Sequence, residues 1–152
     1  MNKNGFVVKH SIVVNRPCEA VWDFTQDYDN RAKWDQAVTR AILVQSVPSR
    51  VVKLSMKGNT EMTFLYKLDH RPFKTTLVAK EIKSAIIESA GGSWAYEPNE
   101  NGTLWTQTNS IVLKNGFWLR LLLPFFRWAF RFQTIKAMEK AKKMMETGMP
   151  LP

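Results

Sequence analysis

The sequence predicts an α+β domain in which a curved antiparallel sheet of about seven strands wraps around one long C-terminal helix. Short segments of alternating apolar and polar residues follow one another between residues 38 and 113, separated by turn residues. A helical periodicity then runs over residues 117–145. The 152 residues are 45% hydrophobic and 23% charged, as in soluble globular proteins. We therefore expect a single domain over residues 1–152, with its core between about 7 and 146.

The N-terminal part predicts one strand followed by two short helices. Apolar and more polar positions alternate over residues 6–14, which indicates a strand. Pro17 suits the first turn of a helix, so the first helix is predicted to begin there. A second helix or turn is predicted over residues 27–34, because its Asp- and Asn-containing start suits capping.

The middle of the chain predicts six further strands. Tight turns between consecutive strands make the sheet antiparallel. Gly91-Gly92 lies inside the penultimate strand and predicts a bulge or a sharp bend. The predicted strands span residues 38–47, 51–56, 60–68, 75–82, 85–97 and 103–113.

The C-terminal segment predicts the long helix that covers the apolar face of the sheet. Apolar residues recur at a period near 3.6 from Leu122 to Met145. Pro124 has two interpretations: it kinks this helix, or it starts the main segment after a short helical lead-in. Gly148 is the predicted C-terminal stop.

Three motifs lie at predicted strand ends and turns. Residues 17–22 read Pro-Cys-Glu-Ala-Val-Trp, residues 27–35 begin with Asp-Tyr and end with Trp-Asp, and residues 92–98 read Gly-Ser-Trp-Ala-Tyr-Glu-Pro, with Gly102-Thr103 following. These motifs resemble the START-like helix-grip superfamily, also called SRPBCC, which includes the birch-pollen-allergen fold. Within it, the chain is most similar to the bacterial polyketide cyclase/dehydrase and lipid transport families, over nearly its whole length.

The resemblance implies a ligand cavity between the sheet and the long helix. The alternative is that the aromatic side chains fill the core and leave no cavity. Asp29 and Asp35 are interpreted as capping and packing residues, with the rim of the pocket as the alternative. Strand parity and helix spacing select the candidate ligand-binding residues. They are Met62, Phe64, Tyr66, Trp94, Tyr96, Trp105, Gln107, Asn109, Phe126, Phe130 and Gln133.

The expected function is binding of a hydrophobic or amphipathic small molecule, such as a lipid, an isoprenoid quinone or an aromatic polyketide-like compound. The alternative is a polyketide cyclase/dehydratase-type enzyme that uses the same cavity. No Ser-His-Asp arrangement, phosphate-binding glycine loop or carboxylate pair is readable in the sequence. The catalytic residue therefore stays unknown. The weak candidate is His10, because histidine titrates near neutral pH.

The sequence gives no sign of a metal site, a cofactor or a disulfide. Cys18 is the one cysteine, and His10 and His70 have no second metal ligand at a standard spacing. The N-terminus lacks the pattern of a signal peptide, and no uncharged apolar run of membrane-spanning length is present. We expect a cytoplasmic protein without metal or cofactor.

The charge and one apolar segment suggest further partners. The 22 Lys and Arg outnumber the 13 Asp and Glu, for a net charge of +9, which suits either an acidic partner or a surface that is cationic only for solubility. Nucleic acid is disfavoured, because the sequence has no RNA-binding aromatic motif and no helix-turn-helix. Residues 117–128 are too apolar for one sheet face to cover, and they include Trp118 and Trp128. This composition has four interpretations: core packing with a few exposed hydrophobic residues, peripheral contact with an anionic membrane, a homodimer contact, or a lid over the pocket.

Overall fold

The structure, a computed structural model, describes residues 4–148. Every predicted element is present, with boundaries that shift by a few residues. The strands are β1 (Gly5–Val14), β2 (Val38–Gln45), β3 (Val51–Met56), β4 (Thr60–His70), β5 (Lys74–Lys83), β6 (Ile87–Asn99) and β7 (Gly102–Leu113). The helices are α1 (Cys18–Thr25), α2 (Arg31–Trp34), α3 (Phe117–Leu121) and α4 (Leu123–Thr147), and a 3₁₀ turn (Tyr28–Asn30) precedes α2.

All seven strands form one antiparallel sheet in the order β1-β7-β6-β5-β4-β3-β2. Strands β2 to β7 pair with their neighbours in the chain, as the tight turns predict. The exception is β1, which pairs with β7 from Gly5↔Val112 to Val14↔Thr103. This arrangement confirms the predicted α+β fold, a curved sheet around a long C-terminal helix.

The C-terminal helical segment breaks at Leu122, between α3 and α4. Pro124 lies in the first turn of α4, so it starts the main helix after a short helical lead-in and does not kink a continuous helix. Gly148 ends the helix with φ +61°, a left-handed conformation that glycine adopts readily. Within residues 4–148, no helix is long and apolar enough to cross a membrane.

The two halves of α4 pack on the sheet in different ways. All the buried residues of α4 lie in its C-terminal half, among them Ala137, Met138 and Ala141. They join a cluster that contains Trp34 and Trp105, both fully buried. In the N-terminal half, side chains such as Phe126 and Phe130 are only partly buried against a second cluster. The helix therefore packs tightly at one end and loosely at the other.

The predicted bulge at Gly91-Gly92 is displaced toward the start of β6. Register between β6 and β7 shifts between Ile87 and Ser89 and is continuous past the glycines. Pairing between β5 and β6 ends at Val78↔Gly91, so the sheet opens there. A Cβ atom on Gly92 would overlap the carbonyl oxygen of Thr108, which explains the glycine by close backbone approach.

Gly102→Ala tests the turn between β6 and β7. Gly102 has φ +129°, and an added Cβ would overlap the carbonyl oxygen of Val14. We expect the substitution to lower the free energy of unfolding by about 2–3 kcal/mol, measured by urea denaturation. Gly58→Ala is the matched control, because φ is +82° but nothing lies within 4 Å. It should cost about 1 kcal/mol, and equal losses for the two variants would contradict this account.

Candidate functional site

A cavity of about 120 Å³ lies between the inner face of the sheet, α2 and α4. Its wall is mostly apolar, with a few polar groups, as in sites for small organic ligands. Gln133 is exposed and Met56 is half-buried, so the cavity meets solvent on their side. The apolar lining includes Val8, Leu54, Met62, Phe64, Leu77, Trp94, Ile111 and Phe130. The polar lining consists of Tyr28, Arg31, Asp35, Gln107, Asn109, Gln133 and Thr134.

The structure brings most of the sequence-predicted residues together around this cavity. Four lie elsewhere. Tyr96 and Trp105 stack on each other behind the wall, at 6.5 Å between ring centroids. Tyr66 is buried in a hydrogen-bond network, and Phe126 packs against the second core cluster. Those that line the cavity are Met62, Phe64, Trp94, Gln107, Asn109, Phe130 and Gln133.

Arg31 is the one cation in the described lining, and it was not among the ligand-binding residues predicted from the sequence. Its Nε and Nη2 atoms donate to Oδ2 of Asp35 at 2.9 and 2.7 Å. Its guanidinium carbon lies 4.6 Å from the ring centroid of Trp34 and 4.7 Å from that of Trp94. Burial lowers the pKa of Arg31, but Asp35, with smaller contributions from Tyr28 and Tyr66, outweighs burial and leaves the pKa raised. The guanidinium is thus charged and fixed between two indole rings.

Asp35 closes the turn after α2 and forms part of the cavity wall. Its Oδ1 atom accepts a hydrogen bond from the backbone N–H of Ala37 at 3.1 Å, in the loop between α2 and β2, so the side chain holds a turn and does not cap a helix. It also lines the cavity, as the alternative interpretation has it. Asp29 does not line it. The spacing of Arg31 and Asp35, four residues apart on a helix, is the sequence signal that identifies the pair.

A buried hydrogen-bond network supports the wall beside Tyr28. The hydroxyl of Tyr66 donates to Gln26 Oε1 at 3.1 Å, so it accepts from the hydroxyl of Tyr28. Gln26 also accepts from Arg50 at 2.7 Å and donates to Tyr96 at 2.9 Å. Burial raises the pKa of Tyr66 well above its ordinary value, and Tyr28 adds to the rise. The Tyr66 phenol is therefore neutral, and the network holds this wall in one arrangement.

Three amide side chains in the lining have hydrogen-bonding capacity to spare. Gln107 is buried, and its side chain accepts one long hydrogen bond, from Asn109 at 3.4 Å. The side chain of Gln133 has no hydrogen-bond partner among residues 4–148. In contrast, Thr134 donates to the carbonyl oxygen of Phe130 in its own helix, at 2.9 Å. The amides can therefore hydrogen-bond a polar group of a ligand.

His10 lies on β1, opposite Gln107 in register, but it does not line the cavity. Burial lowers its pKa, Arg131 lowers it further, and Glu139 partly opposes them. The imidazole is therefore neutral at pH 7, outside the lining. Since His10 does not line the cavity, it is not positioned for acid–base chemistry on a molecule bound there. Among residues 4–148, no three His, Cys, Asp or Glu side chains are grouped to hold a metal ion.

The sheet, the long helix and the enclosed cavity define a START-like helix-grip domain. Residues 6–146 match the model of the family described as polyketide cyclase / dehydrase and lipid transport, and the chain belongs to that family. No functionally curated protein matches the sequence.

Solved structures show the same fold at low sequence identity. A Thermus thermophilus protein is 13% identical, with a TM-score of 0.82 over 95% of this chain and 100% of that one. The Zhui aromatase/cyclase from a Streptomyces species is 16% identical, with a TM-score of 0.77 over 93% and 94% of the two chains. A START superfamily protein from Mycobacterium smegmatis is 12% identical, with a TM-score of 0.73 over 94% and 99%. Such similarity shows the shared fold.

Arg31→Met tests the buried ion pair. It leaves the Asp35 carboxylate buried without its partner, so we expect the free energy of unfolding to fall by about 3–5 kcal/mol. Lys53→Met is the control, because Lys53 and Glu61 form an exposed pair at 3.4 Å. It should cost less than about 1 kcal/mol. Adding Asp35→Asn to Arg31→Met should recover part of the loss, since it removes the unpaired charge. A double variant less stable than the single one would refute this explanation.

His10→Gln tests the environment of the histidine under α4. The native pKa lies below the ordinary value of 6.5, so the unfolded chain takes up the proton first as the pH falls. The free energy of unfolding should therefore decrease as the pH drops below about 6.5, until the native pKa is passed. The substitution should remove this decrease, measured by urea denaturation between pH 8 and 5. An NMR-titrated pKa of His10 at or above 6.5 would contradict the expectation.

Proposed function

We propose that the protein binds an amphipathic small molecule, with its apolar part in the cavity under α4 and a polar oxygen against the amides of the lining. The observation that carries the proposal is this cavity, apolar over most of its wall and furnished with Gln107, Asn109 and Gln133. An apolar enclosure supplies affinity by burying ligand surface, and a few polar groups fix its orientation.

The volume of the cavity limits what it encloses. A cavity of about 150 Å³ in a protein core admits benzene, and this one measures about 120 Å³. Because this cavity is the smaller of the two, we infer that it encloses at most one small ring or a short acyl segment. A lipid, an isoprenoid quinone or an aromatic polyketide-like compound would place one end inside the cavity. The rest of the molecule would extend out of the opening beside Gln133 and Met56.

The polar groups favour a ligand whose buried end carries an oxygen. Gln107 is 4% exposed, and its side chain makes one long hydrogen bond, from Asn109, so its amide N–H groups are available to an oxygen of a ligand. The Arg31–Asp35 ion pair adds a fixed dipole with no net charge to the same wall, and two N–H groups of Arg31 are engaged by Asp35. A carbonyl, hydroxyl or carboxylate oxygen matches these groups, and a pure hydrocarbon leaves them unpaired.

A cyclase or dehydratase acting in the same cavity is the second candidate function. Tyr28 and Arg31 border the cavity, and each carries protons that a bound carbonyl group can accept in a hydrogen bond. However, the hydroxyl of Tyr28 already donates a hydrogen bond to Tyr66, and the guanidinium of Arg31 is already paired with Asp35. These contacts favour binding over proton transfer.

Native mass spectrometry of the freshly purified protein, followed by organic extraction, tests the proposal. We expect a stoichiometric adduct that extracts as an oxygen-bearing amphipathic molecule. The recovered molecule is then incubated with the protein. Unchanged recovery supports binding, whereas conversion to a product supports the enzyme.

Ala90→Leu adds three carbon atoms to the cavity wall. Ala90 lines the cavity on β6, so the larger side chain should displace the ligand and weaken its binding at least tenfold. Ala32→Leu adds the same atoms on the exposed side of α2 and is the matched control. It should bind as the wild type does, measured by calorimetric titration with the extracted compound. Unchanged affinity of Ala90→Leu would place the ligand outside this cavity.

A further inference from the structure

A strip of exposed aromatic and apolar side chains lies on the outer side of α3 and α4, outside the cavity. We define the strip as Phe117, Trp118, Leu121, Phe125, Trp128 and Phe132. All six side chains are exposed, with Phe117 at 74%, Trp118 at 70% and Trp128 at 60%. Monomeric soluble proteins seldom expose contiguous apolar surface of this kind unless it has a partner.

The strip is continuous along α4. Residues 125, 128 and 132 are spaced by three and four, so they share one face of the helix. The ring centroids of Phe125 and Trp128 are 6.2 Å apart, and those of Trp128 and Phe132 are 5.7 Å apart. Phe117 and Trp118 form a similar contact on α3, at 5.5 Å.

The fold does not use this face of the helix. Other side chains of the same turns, Leu123, Phe126 and Phe130, pack against the core beneath α4. The first half of α4 is thus apolar on two sides, of which the sheet covers one. A helix needs only one apolar face to pack on a sheet. The apolar outer face therefore indicates a partner other than the sheet.

The charges around the strip identify the chemistry of that partner. Arg120, Arg127, Arg131 and Lys136 lie among its residues, and no Asp or Glu occurs between Glu100 and Glu139. The ammonium group of Lys136 lies 5.2 Å from the ring centroid of Phe132. Aromatic residues that alternate with Lys and Arg are typical of helices that lie in the headgroup region of anionic membranes.

The same charges disfavour contact with a second copy of this chain. A twofold contact would place the strip of one protomer on the strip of the other. The cations of both copies would then approach one another without an acidic residue from these segments between them, and like charges at an interface are repulsive.

We propose that the aromatic strip docks on the surface of a bilayer rich in anionic lipid, with α3 and the first half of α4 lying in the headgroup region. This proposal goes beyond ligand binding and does not depend on which molecule fills the cavity. It places the membrane one helix thickness from the cavity, because Phe130 and Gln133 on the same helix line it.

Vesicle co-sedimentation tests the docking surface. The full chain is mixed with vesicles of pure phosphatidylcholine or of phosphatidylcholine with 30% phosphatidylglycerol. We expect binding to the anionic vesicles, a blue shift of tryptophan emission, and weaker binding in 0.5 M salt. Sedimentation of the free protein as a dimer that strip substitutions dissociate would overturn the proposal in favour of self-association.

Two matched pairs of variants locate the surface. Trp118→Ala with Trp128→Ala should weaken vesicle binding more than tenfold, whereas Val44→Ala with Val47→Ala removes exposed apolar surface elsewhere and should not.

Arg127→Gln should weaken binding to anionic vesicles about fivefold, and Lys140→Gln, exposed further along α4, should change it less. All these side chains are exposed, so the variants should fold, which circular dichroism verifies. Absence of vesicle binding, equal binding to both lipid mixtures, or equal binding of both tryptophan and valine variants would refute the proposal.

Discussion

One helix has to cover the inner face of a seven-stranded sheet, and the rest of the structure depends on how unevenly α4 does so. Its C-terminal half carries small and unbranched side chains, Ala137, Met138 and Ala141, which let it settle onto the tryptophan cluster. Its N-terminal half carries bulky rings such as Phe126 and Phe130, which are only partly buried. Close packing under the C-terminal half and a cavity under the middle of the helix, from Phe130 to Ala137, are two results of the same side-chain gradient.

The ion pair of Arg31 and Asp35 is the costliest element of the cavity wall. Moving two charges out of water is unfavourable, and such pairs contribute little to stability compared with apolar residues of the same size. Their position therefore calls for another explanation. The guanidinium of Arg31 lies between two indole rings, and both members of the pair border the cavity, where they place a fixed dipole with no net charge in a mostly apolar wall.

The fold could be predicted from the sequence because its signals are local. Alternation, turn residues and Pro124 fix the elements, and consecutive tight turns fix the antiparallel pairing. The site could be predicted only in part. Strand parity places Trp105 and Gln107 on the same face of β7, yet it does not tell which end of the strand lies under the loosely packed half of α4. The spacing of Arg31 and Asp35 is typical of an ion pair on a helix, but α2 has only four residues, too few for a periodic pattern that would place the pair on the buried side.

The pairing of β1 with β7 has a consequence for how the chain folds. Gly5 pairs with Val112, so the first strand synthesised has the last strand as its partner. Contacts between residues so distant in sequence close large loops, and domains dominated by such contacts fold slowly. During synthesis, β1 waits without its native neighbour until β7 has left the ribosome. The sheet therefore acquires its final edge only when most of the chain is available.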